Sequence, residues 1–400
     1  MRTLIVTVAV LFLVACTPKA NIRTSERSVA GNGSAVTFVP GYSRNGNGYK
    51  QVVQDILSDP KATKTVDVIQ FNFDSASSGN PFVGGLGARL TALSAAGRTV
   101  RVFIENGGYG VGTVNHAGGS SLGPKVQVYY LQGLKNHTDP ASPGILHSKV
   151  VIVDGHLVLA GSTNWSDRSI SANPTAQKPA NNETDLLVDS ASLGAALTAY
   201  ADALKTQADT FPGTTLFRGK SLRLPSGASL DDANLHLLLD DDYYSTLIDF
   251  IGGANDRLDC SMYTLGAGDT SDPGSPNGQG DKILAALLAA MDRGVQVRIL
   301  FDNDTFNKYG TPLNHNAAVQ MLKKTKEIYM TDSNVITHQK FCVRTSGGTH
   351  SALMGSSNWD YVDLSLNHQV NWLVSDEKAA SDLLAYFDGL IVSRQRFTGN

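Results

Sequence analysis

The stretch of sequence that decides the fold runs from residue 147 to residue 165: His147-Ser148-Lys149-Val150-Val151-Ile152-Val153-Asp154-Gly155-His156-Leu157-Val158-Leu159-Ala160-Gly161-Ser162-Thr163-Asn164-Trp165. Two apolar runs flank Asp154-Gly155, a dipeptide typical of two-residue hairpin loops. With that loop, His147 is predicted to pair with Ser162, and Lys149 with Ala160. Because side chains two positions apart share one face of a strand, the hairpin is predicted to gather four polar groups on one surface: His147, Lys149, Ser162 and Asn164.

A second copy of the pattern occupies residues 338–359. It begins with His338-Gln339-Lys340 and returns through Gly355-Ser356-Ser357-Asn358-Trp359. Pairing His338 with Ser356 leaves Ser346-Gly347-Gly348 as a three-residue loop, a favoured length when glycine is present. Two hairpins with different turns are thus predicted to share one register, which a chance similarity would not produce.

The elements around the two hairpins are repeated as well. Each His-x-Lys strand is preceded by a helix, a strand, a second helix and a second strand, and is followed by a helix. The matching segments are 49–57 and 244–251, 66–71 and 258–263, 82–96 and 283–291, 100–104 and 295–301, and 191–206 and 378–392. This alternation predicts α/β sandwich domains, and the duplication predicts a pseudo-two-fold axis between them.

The chain has 400 residues, which is too long for one ordinary core and suits two domains. Its 42% apolar and 17% charged residues indicate a globular protein. The predicted divisions are a lipoprotein signal peptide (1–15), a flexible tether (16–35), a first domain (36–212) and a second domain (213–400). The Gly-, Pro- and Ser-rich stretch 211–230 is the predicted linker.

The N-terminal residues are typical of an export signal. Arg2 precedes an apolar run, residues 4–14, that is too short to span a bilayer comfortably. The run ends in Leu13-Val14-Ala15-Cys16, which resembles a bacterial lipobox and implies lipidation of Cys16. The prediction is therefore an exported, lipid-anchored lipoprotein of the cell envelope. An uncleaved anchor and an ordinary signal peptide are the alternatives.

The charge balance bears on the partner. The formal net charge is −3, and removal of residues 1–15 takes away Arg2 and no acidic residue, leaving 32 basic and 36 acidic residues and a net charge of −4. Proteins that bind nucleic-acid backbones usually have a basic balance. The composition therefore favours a partner other than nucleic acid, although a local basic groove is compatible with an acidic average.

The cysteines and histidines give no sign of a metal centre. Cys260 and Cys342 each lie in an apolar, strand-like run, where they are either buried free thiols or, in an exported protein, a disulfide. No Cys/His cluster has the spacing of metal ligands. The sequence therefore predicts no metal and no cofactor.

The paired pattern resembles the phospholipase D superfamily, whose signature is H-x-K-x-x-x-x-D followed by Gly-Ser or Gly-Gly and an Asn. The first copy matches in full, whereas in the second Thr345 stands in place of the Asp. Because Asp154 has the opposite strand parity to His147 and is needed for the turn, it is interpreted as a supporting residue. Thr345 is then expected to affect the hairpin more than the chemistry. The resemblance implies two tandem phospholipase D-like α/β sandwich domains that build a single active site.

The resemblance also implies a reaction through a covalent phosphohistidine. One imidazole attacks phosphorus and the other protonates the leaving alcohol. The groups expected to hold the non-bridging oxygens are Lys149, Lys340, Asn164 and Asn358. Ser162 and Ser356 are predicted to support substrate binding. The tryptophans after the asparagines, Trp165 and Trp359, either line a cleft or pack in the core.

The family also has an acidic residue downstream of each motif, in an N-x-E-like stretch that supports the motif histidine. Glu183 fills this position in the first half, and Gln369 takes it in the second; ordinary polar residues at a strand start are the alternative. If each residue supports the histidine of its own half, His147 has the carboxylate. This assumption makes His147 the nucleophile and His338 the general acid.

Three functions are compatible with the motifs. The leading hypothesis is hydrolysis of phospholipid head groups, together with head-group exchange, at a phospholipid membrane surface and with no protein partner implied. The alternative is a metal-independent endonuclease, because residues 161–166 also resemble compact nuclease-like members of the superfamily. The third hypothesis, motivated by Thr345 and Gln369, is a catalytically impaired binding lipoprotein.

Overall fold

The computed structural model describes residues 35–43, 46–58, 64–74, 81–107, 110–131, 144–170, 181–210, 224, 229–232, 234–269, 278–303, 312–331, 335–392 and 394–399. The predicted signal peptide, Cys16 and the predicted tether up to residue 34 lie outside these residues, as does most of the predicted linker. Within the described ranges, no helix has both the length and the apolar character needed to cross a membrane.

The described residues form strands and helices in a repeated order. The strands are β1 (Ala35–Pro40), β2 (Tyr42–Ser43), β3 (Gly46–Asn47), β4 (Thr65–Gln70), β5 (Thr99–Glu105), β6 (Gln127–Leu131), β7 (Lys149–Val153), β8 (Leu157–Gly161), β9 (Thr184–Asp189), β10 (Asp209–Thr210), β11 (Asp231–Asp232), β12 (Leu235–Leu239), β13 (Arg257–Met262), β14 (Gln296–Phe301), β15 (Ile328–Met330), β16 (Lys340–Ser346), β17 (Thr349–Gly355) and β18 (Val370–Val374). The helices are α1 (Gly48–Ser58), α2 (Pro81–Ala95), α3 (Gly112–Ser120), α4 (Ala191–Gln207), α5 (Asp242–Gly252), α6 (Gln279–Asp292), α7 (Leu313–Met321), α8 (Tyr361–Ser365) and α9 (Glu377–Ile391).

Two mixed sheets repeat one topology. The first has the order β1-β9-β8-β7-β4-β5-β6-β10, and the second has the order β11-β12-β18-β17-β16-β13-β14-β15. In each sheet three strands run parallel, β4-β5-β6 or β13-β14-β15, and the His-x-Lys strand pairs antiparallel with the first of them. The prediction of two tandem α/β domains is confirmed.

Both hairpins share one register, but it differs by one residue from the prediction. Val150 pairs with Ala160, and Val153 pairs with Leu157, so the first loop has three residues, 154–156. In the second hairpin Ser346 pairs with Thr349, which leaves the two-residue loop Gly347-Gly348. The predicted pairings of His147 with Ser162 and of His338 with Ser356 are therefore wrong.

The register error has a physical cause. All of β7 and nearly all of β8 are buried, so their sequences do not alternate between apolar and polar residues and do not indicate which parity faces the core. The prediction consequently depended on the turn alone. His156 joins the loop because its carbonyl accepts a hydrogen bond (2.8 Å) from the backbone N–H of Ser190, at the start of α4.

A carboxylate stabilises each hairpin, but from opposite sides of the strand pair. Asp154 has a φ of 54°, and its Oδ1 accepts a hydrogen bond (2.8 Å) from the backbone N–H of Thr65, which begins β4. In the second half Asp256, directly before β13, accepts a hydrogen bond (2.6 Å) from the N–H of Gly347 in the hairpin turn. Thr345 lies in β16, and its hydroxyl is 3.0 Å from Nδ1 of His350 across the hairpin. The second hairpin has Thr345 in place of an aspartate, and Asp256, directly before the neighbouring strand β13, supplies the carboxylate that binds its turn.

The apolar side chains form two outer cores and one shared core. The first outer core packs α1 and α2 on the first sheet. The second packs α5, α6 and α7 on the second sheet. The shared core contains α4, α9 and the inner faces of both sheets. Because each half buries apolar surface against the other, the two halves form one compact unit, Gly33–Asn400.

The two buried cysteines lie directly opposite each other on β13 and β16 and form a disulfide, Cys260–Cys342. Of the two alternatives for these residues, the structure has the disulfide.

Candidate active site

The backbone ahead of each His-x-Lys strand is held by the other half. The N–H of His147 donates to the carbonyl of His368 (2.9 Å), and the N–H of His368 donates to that of Ile145 (2.8 Å). In the symmetric pair, His338 donates to Asn182 (3.0 Å), and Asn182 donates to Ile336 (2.9 Å). These reciprocal contacts bring both motifs together where the halves meet.

The carboxylate of Glu183 contacts the histidine of the other half. Nδ1 of His338 lies 2.9 Å from Oε2 of Glu183, and both side chains are buried. The assumption that Glu183 supports His147 is therefore wrong. The cause is the crossed pairing, since Asn182 is bonded on both sides to the segment before Lys340 and carries its neighbour Glu183 with it. A single sequence does not show which half of the molecule the residues directly before β9 contact.

Gln369 contacts His147 by the same crossing. Its Oε1 lies 3.2 Å and its Nε2 lies 3.1 Å from Nδ1 of His147. A side-chain amide is both a donor and an acceptor. It can accept a hydrogen bond when Nδ1 carries a proton and donate one when it does not. The amide therefore holds this ring in either protonation state, whereas the Glu183 carboxylate only accepts.

The two serines predicted to support substrate binding, Ser162 and Ser356, contact these supporting residues. The hydroxyl of Ser162 donates to Oε2 of Glu183 (2.6 Å), and that of Ser356 donates to Oε1 of Gln369 (2.5 Å). Each serine oxygen also accepts a backbone N–H, from Thr184 (2.9 Å) and Val370 (3.1 Å) respectively. Each serine directly follows the last paired residue of its strand, and its hydroxyl bonds to the residue before the adjacent strand. The two serines therefore orient Glu183 and Gln369, which contact the histidines.

The two motif lysines are buried and close enough to repel each other. Nζ of Lys149 donates to the carbonyl of His147, and Nζ of Lys340 donates to that of His338. Burial, and then the charge of Lys340, hold the pKa of Lys149 well below its usual range. An anion bound beside the two lysines would stabilise their protonated forms.

Charges and burial also shift the pKa values of the His338 pair. Burial lowers the pKa of His338 below its ordinary value, although the charge of Glu183 opposes this effect. Burial alone would raise the pKa of Glu183, but the charge and hydrogen bond of His338 and the charge of Lys340 outweigh it and hold that pKa below its usual range. At neutral pH these directions favour a neutral His338 beside an ionised Glu183.

Asn164 and Asn358 occupy equivalent positions after the two hairpins. Both are buried, and within the described part of the chain their Oδ1 atoms accept no hydrogen bond. Leaving a buried polar atom unpaired costs free energy, so the presence of such an atom at the same position in both halves suggests a role in binding. The next residues, Trp165 and Trp359, are fully buried and donate to Tyr49 (2.8 Å) and Tyr243 (3.2 Å). The tryptophans therefore pack in the cores and do not line a cleft.

Two aromatic residues that were not among the predicted site residues flank the histidines. The ring of Phe71, directly after β4, lies 5.0 Å from that of His147 and 5.2 Å from Nζ of Lys149. Tyr263, directly after β13, lies 5.0 Å from the ring of His338 and 5.0 Å from Nζ of Lys340. Aligning the two repeats places these aromatics at one position, a signal that was present in the sequence.

A second buried acid lies near Glu183. The side-chain hydroxyl of Thr163 donates to Asp185, and burial raises the pKa of Asp185 to about 8. In the second half Asn371 takes this place and accepts from the N–H of Ser357 (3.1 Å). Among the described residues, no group of three or more His, Cys, Asp and Glu side chains has an arrangement that could hold a metal ion.

Solved structures share the fold at low sequence identity. The crystal structure of phosphatidylserine synthase from Haemophilus influenzae Rd KW20 matches with a TM-score of 0.64 and 10% identity, over 90% of this chain and 87% of that one. Polyphosphate kinase from Porphyromonas gingivalis matches with a TM-score of 0.56 and 13% identity, over 92% of this chain and 48% of that one. This chain therefore spans about half the length of the kinase. NucT from Helicobacter pylori matches over 44% of this chain with a TM-score of 0.34 and 18% identity.

No curated protein matches the chain in sequence. The family described as "Cardiolipin synthase, PLD-like domain" matches it twice, over residues 60–205 and 247–391. The two matches cover most of the chain, and each contains one His-x-Lys hairpin together with its Glu183 or Gln369 strand. This protein therefore belongs to the phospholipase D-like phosphodiesterase superfamily.

Proposed function

We propose that the protein cleaves phospholipid head groups through a covalent phosphohistidine, with His338 as the nucleophile and His147 as the general acid. One observation carries the assignment: the two rings have different partners at Nδ1. Glu183 contacts His338, and the amide of Gln369 contacts His147. The roles are the reverse of those expected from the sequence, because the carboxylate supports the other histidine.

The first step uses the neutral form of His338. Its Nδ1–H donates to Glu183, which leaves the lone pair of Nε2 for attack on phosphorus. As the P–N bond forms, the bond from phosphorus to the leaving oxygen breaks. The ring becomes a cationic phosphoimidazole, and the ionised carboxylate 2.9 Å away stabilises that charge.

His147 supplies and recovers the proton. Its Nε2–H is transferred to the leaving alcohol oxygen, which departs as the free alcohol. Water then attacks phosphorus and gives its proton to His147, while the P–N electron pair returns to His338. Transfer to another alcohol in place of water gives head-group exchange. Because Gln369 can both donate and accept, it orients the His147 ring through both halves of this cycle.

The remaining groups balance the negative charge of the phosphodiester. Lys149 and Lys340 are buried, and an anionic substrate would favour their protonated forms, which burial and mutual repulsion disfavour at Lys149. Asn164 and Asn358 are buried at equivalent positions after the two hairpins, and in this scheme their side-chain N–H groups donate to the non-bridging oxygens. In this scheme the lysines supply the positive charge at the transition state.

The choice of a phospholipid substrate has two supports. The matching family is described as "Cardiolipin synthase, PLD-like domain", a name that refers to a phospholipid. The chain has a net charge of −3, which lacks the basic excess typical of proteins that bind nucleic-acid backbones. A lipid anchor at Cys16 would hold the enzyme at its substrate surface.

The test compares two substrate classes in one preparation. The purified full chain is incubated with EDTA and either mixed phosphatidylcholine and phosphatidylethanolamine vesicles or single- and double-stranded DNA and RNA. His338→Ala serves as the control for contaminating activity. Release of choline or ethanolamine by the wild type alone is expected. Cleavage of nucleic acid without head-group release would favour the endonuclease, and a phospholipid that binds without being cleaved would favour the binding lipoprotein.

A further inference from the structure

Gln369 leaves the His147 half of the site without the carboxylate that Glu183 supplies to His338, but another acid lies close by. Oδ1 of Asp363, on α8, is 3.7 Å from Nδ1 of His147. Its side chain is buried, as is that of His147. The acid comes from the helix after the hairpin rather than from the strand start.

The equivalent position in the first half explains how this acid fits. Ser169 follows Asn164 by five residues, as Asp363 follows Asn358. Ser169 donates its hydroxyl to Oε1 of Glu183 (2.6 Å). The first half-site therefore has its carboxylate directly before β9 and a neutral hydroxyl in the turn that follows the hairpin. The second half-site has a neutral amide directly before β18 and its carboxylate on α8.

The residues that hold the acid are exchanged in the same way. Asn181, two residues before Glu183, lies with its Nδ2 3.3 Å from Oε1 of that residue. Asn367, two residues before Gln369, donates instead to Oδ1 of Asp363. In both halves, the asparagine at this position therefore contacts the carboxylate of its half-site. The N–H of Asn358 also donates to Oδ2 of Asp363 (3.0 Å), which fixes the carboxylate beside His147.

We infer that Asp363 is a positioning carboxylate for His147, supplying from α8 the negative charge that Glu183, directly before β9, supplies to His338. This inference rests on the proposed role of His147 as the general acid. A general acid must carry its proton before it meets the leaving group, and a carboxylate near Nδ1 favours the protonated ring. Gln369 orients the ring, and Asp363 provides the charge.

Charged groups from both halves act on Lys149, the lysine next to this ring. Lys149 begins the strand that follows His147; burial and the charge of Lys340 from the other half lower its pKa, whereas the acids Asp363 and Glu183 raise it. Phe71 covers the ring with a neutral face. Asp363 is the one of these acids with a charged atom within 4 Å of His147 in the described structure.

The test measures the protonation of His147 directly. The full chain is labelled with ¹³C- and ¹⁵N-histidine, the His147 signals are assigned with His147→Asn, and the ring is titrated by NMR. Asp363→Asn should lower the midpoint of the His147 titration by about one pH unit, the smaller end of what an adjacent carboxylate produces. Asp363→Ser/Gln369→Glu, which rebuilds the first-half arrangement, should restore it. Asp360→Asn removes a carboxylate from the same helix start and keeps a good N-cap, so it should leave the midpoint unchanged.

Turnover of bis(p-nitrophenyl) phosphate across pH is the second readout. Asp363→Asn should lower kcat and move the alkaline limb to lower pH, and the double variant should move it back. A His147 titration that is the same in wild type and Asp363→Asn would overturn the inference. Wild-type protein without any phosphodiester turnover would overturn the proposed function, and the NMR titration would still decide the role of Asp363.

A mirror variant tests the exchange in the other half-site. Ser169→Asp/Glu183→Gln gives His338 the arrangement that His147 has. It should retain more activity than Glu183→Gln alone, because a carboxylate is again present near Nδ1. Equal loss in the two variants would show that position 169 cannot supply the charge and would count against the equivalent role of Asp363.

Discussion

Nδ1 of His338 lies 2.9 Å from Oε2 of Glu183, a residue 155 positions earlier in the chain and in the other half of the molecule. Because His147 contacts Gln369 by the same crossing, each half contributes the histidine of one half-site and the supporting residue of the other. The paired motif residues and their supports therefore come together only where both halves meet, and the two histidines have different partners at Nδ1.

A trapped intermediate should carry its phosphate on His338. The ionised Glu183 is hydrogen-bonded to Nδ1 of His338 (2.9 Å) and stabilises a phosphoimidazole cation on that ring, whereas Nδ1 of His147 contacts the amide of Gln369 and has its acid, Asp363, farther away at 3.7 Å. Acid-quenching the enzyme during turnover of a slow phosphodiester, followed by peptide mass spectrometry, locates the modified histidine. His338→Ala is the matched control and should give no adduct. Phosphate on His147 in active enzyme would reverse the two roles.

Glu183→Gln should have two effects of different kinds. The rate should fall roughly 10²- to 10⁴-fold, because the ring loses the group that fixes its tautomer and stabilises its charge. The acid limb of kcat/KM, which requires neutral His338, lies below the ordinary histidine pKa because burial lowers the pKa of this ring. Glu183 raises that pKa, so its removal should move the limb to still lower pH.

The control for this variant is Asp185→Asn on the same strand. Its carboxyl is buried, has a pKa raised to about 8 and is therefore mainly neutral at pH 7, so the substitution should leave the rate within a few-fold of wild type. A Glu183→Gln enzyme with an acid limb at higher pH than wild type would show that Glu183 does not act on His338 as a charge.

The effects of removing the two histidines should not add. His147→Ala and His338→Ala should each lower kcat by roughly 10³-fold or more, and the double variant should be little worse than either single one, because the groups act as a unit. Turnover of bis(p-nitrophenyl) phosphate by the four proteins gives the comparison. A double variant whose loss equals the product of the single losses would indicate two independent sites.

The repeated elements and the two motifs were predictable because they depend on local patterns. Helix and strand periodicity placed the main elements, and α2 and α4 begin and end within about one residue of the predicted segments. The register of the hairpins was not predictable in the same way. Strands buried on both faces lack alternation, so a first turn one residue longer than expected and a second turn one residue shorter shifted both pairings.

The crossed support of the histidines was beyond the reach of the sequence for a different reason. Glu183 and Gln369 were recognised from the motif, but which histidine each contacts depends on how two halves dock, and a repeat pattern is equally consistent with both arrangements. Asp363 was not predicted because the family pattern has its acid at position 369 and not on the helix after the hairpin. Aligning Ser169 with Asp363 would have shown a new carboxylate in the second repeat.

Cys16 is the site of lipidation in the hypothesis of an exported lipoprotein. Growing cells with an alkyne fatty acid should label the wild type and not Cys16→Ser, because the thiol is the acceptor of the lipid. Cys342→Ser, which removes a cysteine of the disulfide, is the control and should keep the label. Equal labelling of wild type and Cys16→Ser would contradict the hypothesis.

Asp185→Asn should stabilise the protein at alkaline pH. Burial raises the pKa of Asp185 from an ordinary value of 3.8 to about 8, so between these two values the folded protein binds a proton that the unfolded chain has released. The unfolding free energy contributed by this group therefore falls as pH rises through that window, and above it the folded state contains a buried charge. Asparagine does not titrate, and Asn371 occupies the equivalent position in the second half, where it bonds to Ser357. The variant should resemble wild type at pH 4 and exceed it by at least about 1.4 kcal/mol at pH 9, the equivalent of one pKa unit. Urea unfolding at both pH values measures the difference, with the exposed Asp55→Asn as control. A variant no more stable than wild type at pH 9 would mean that Asp185 ionises without cost in the folded protein.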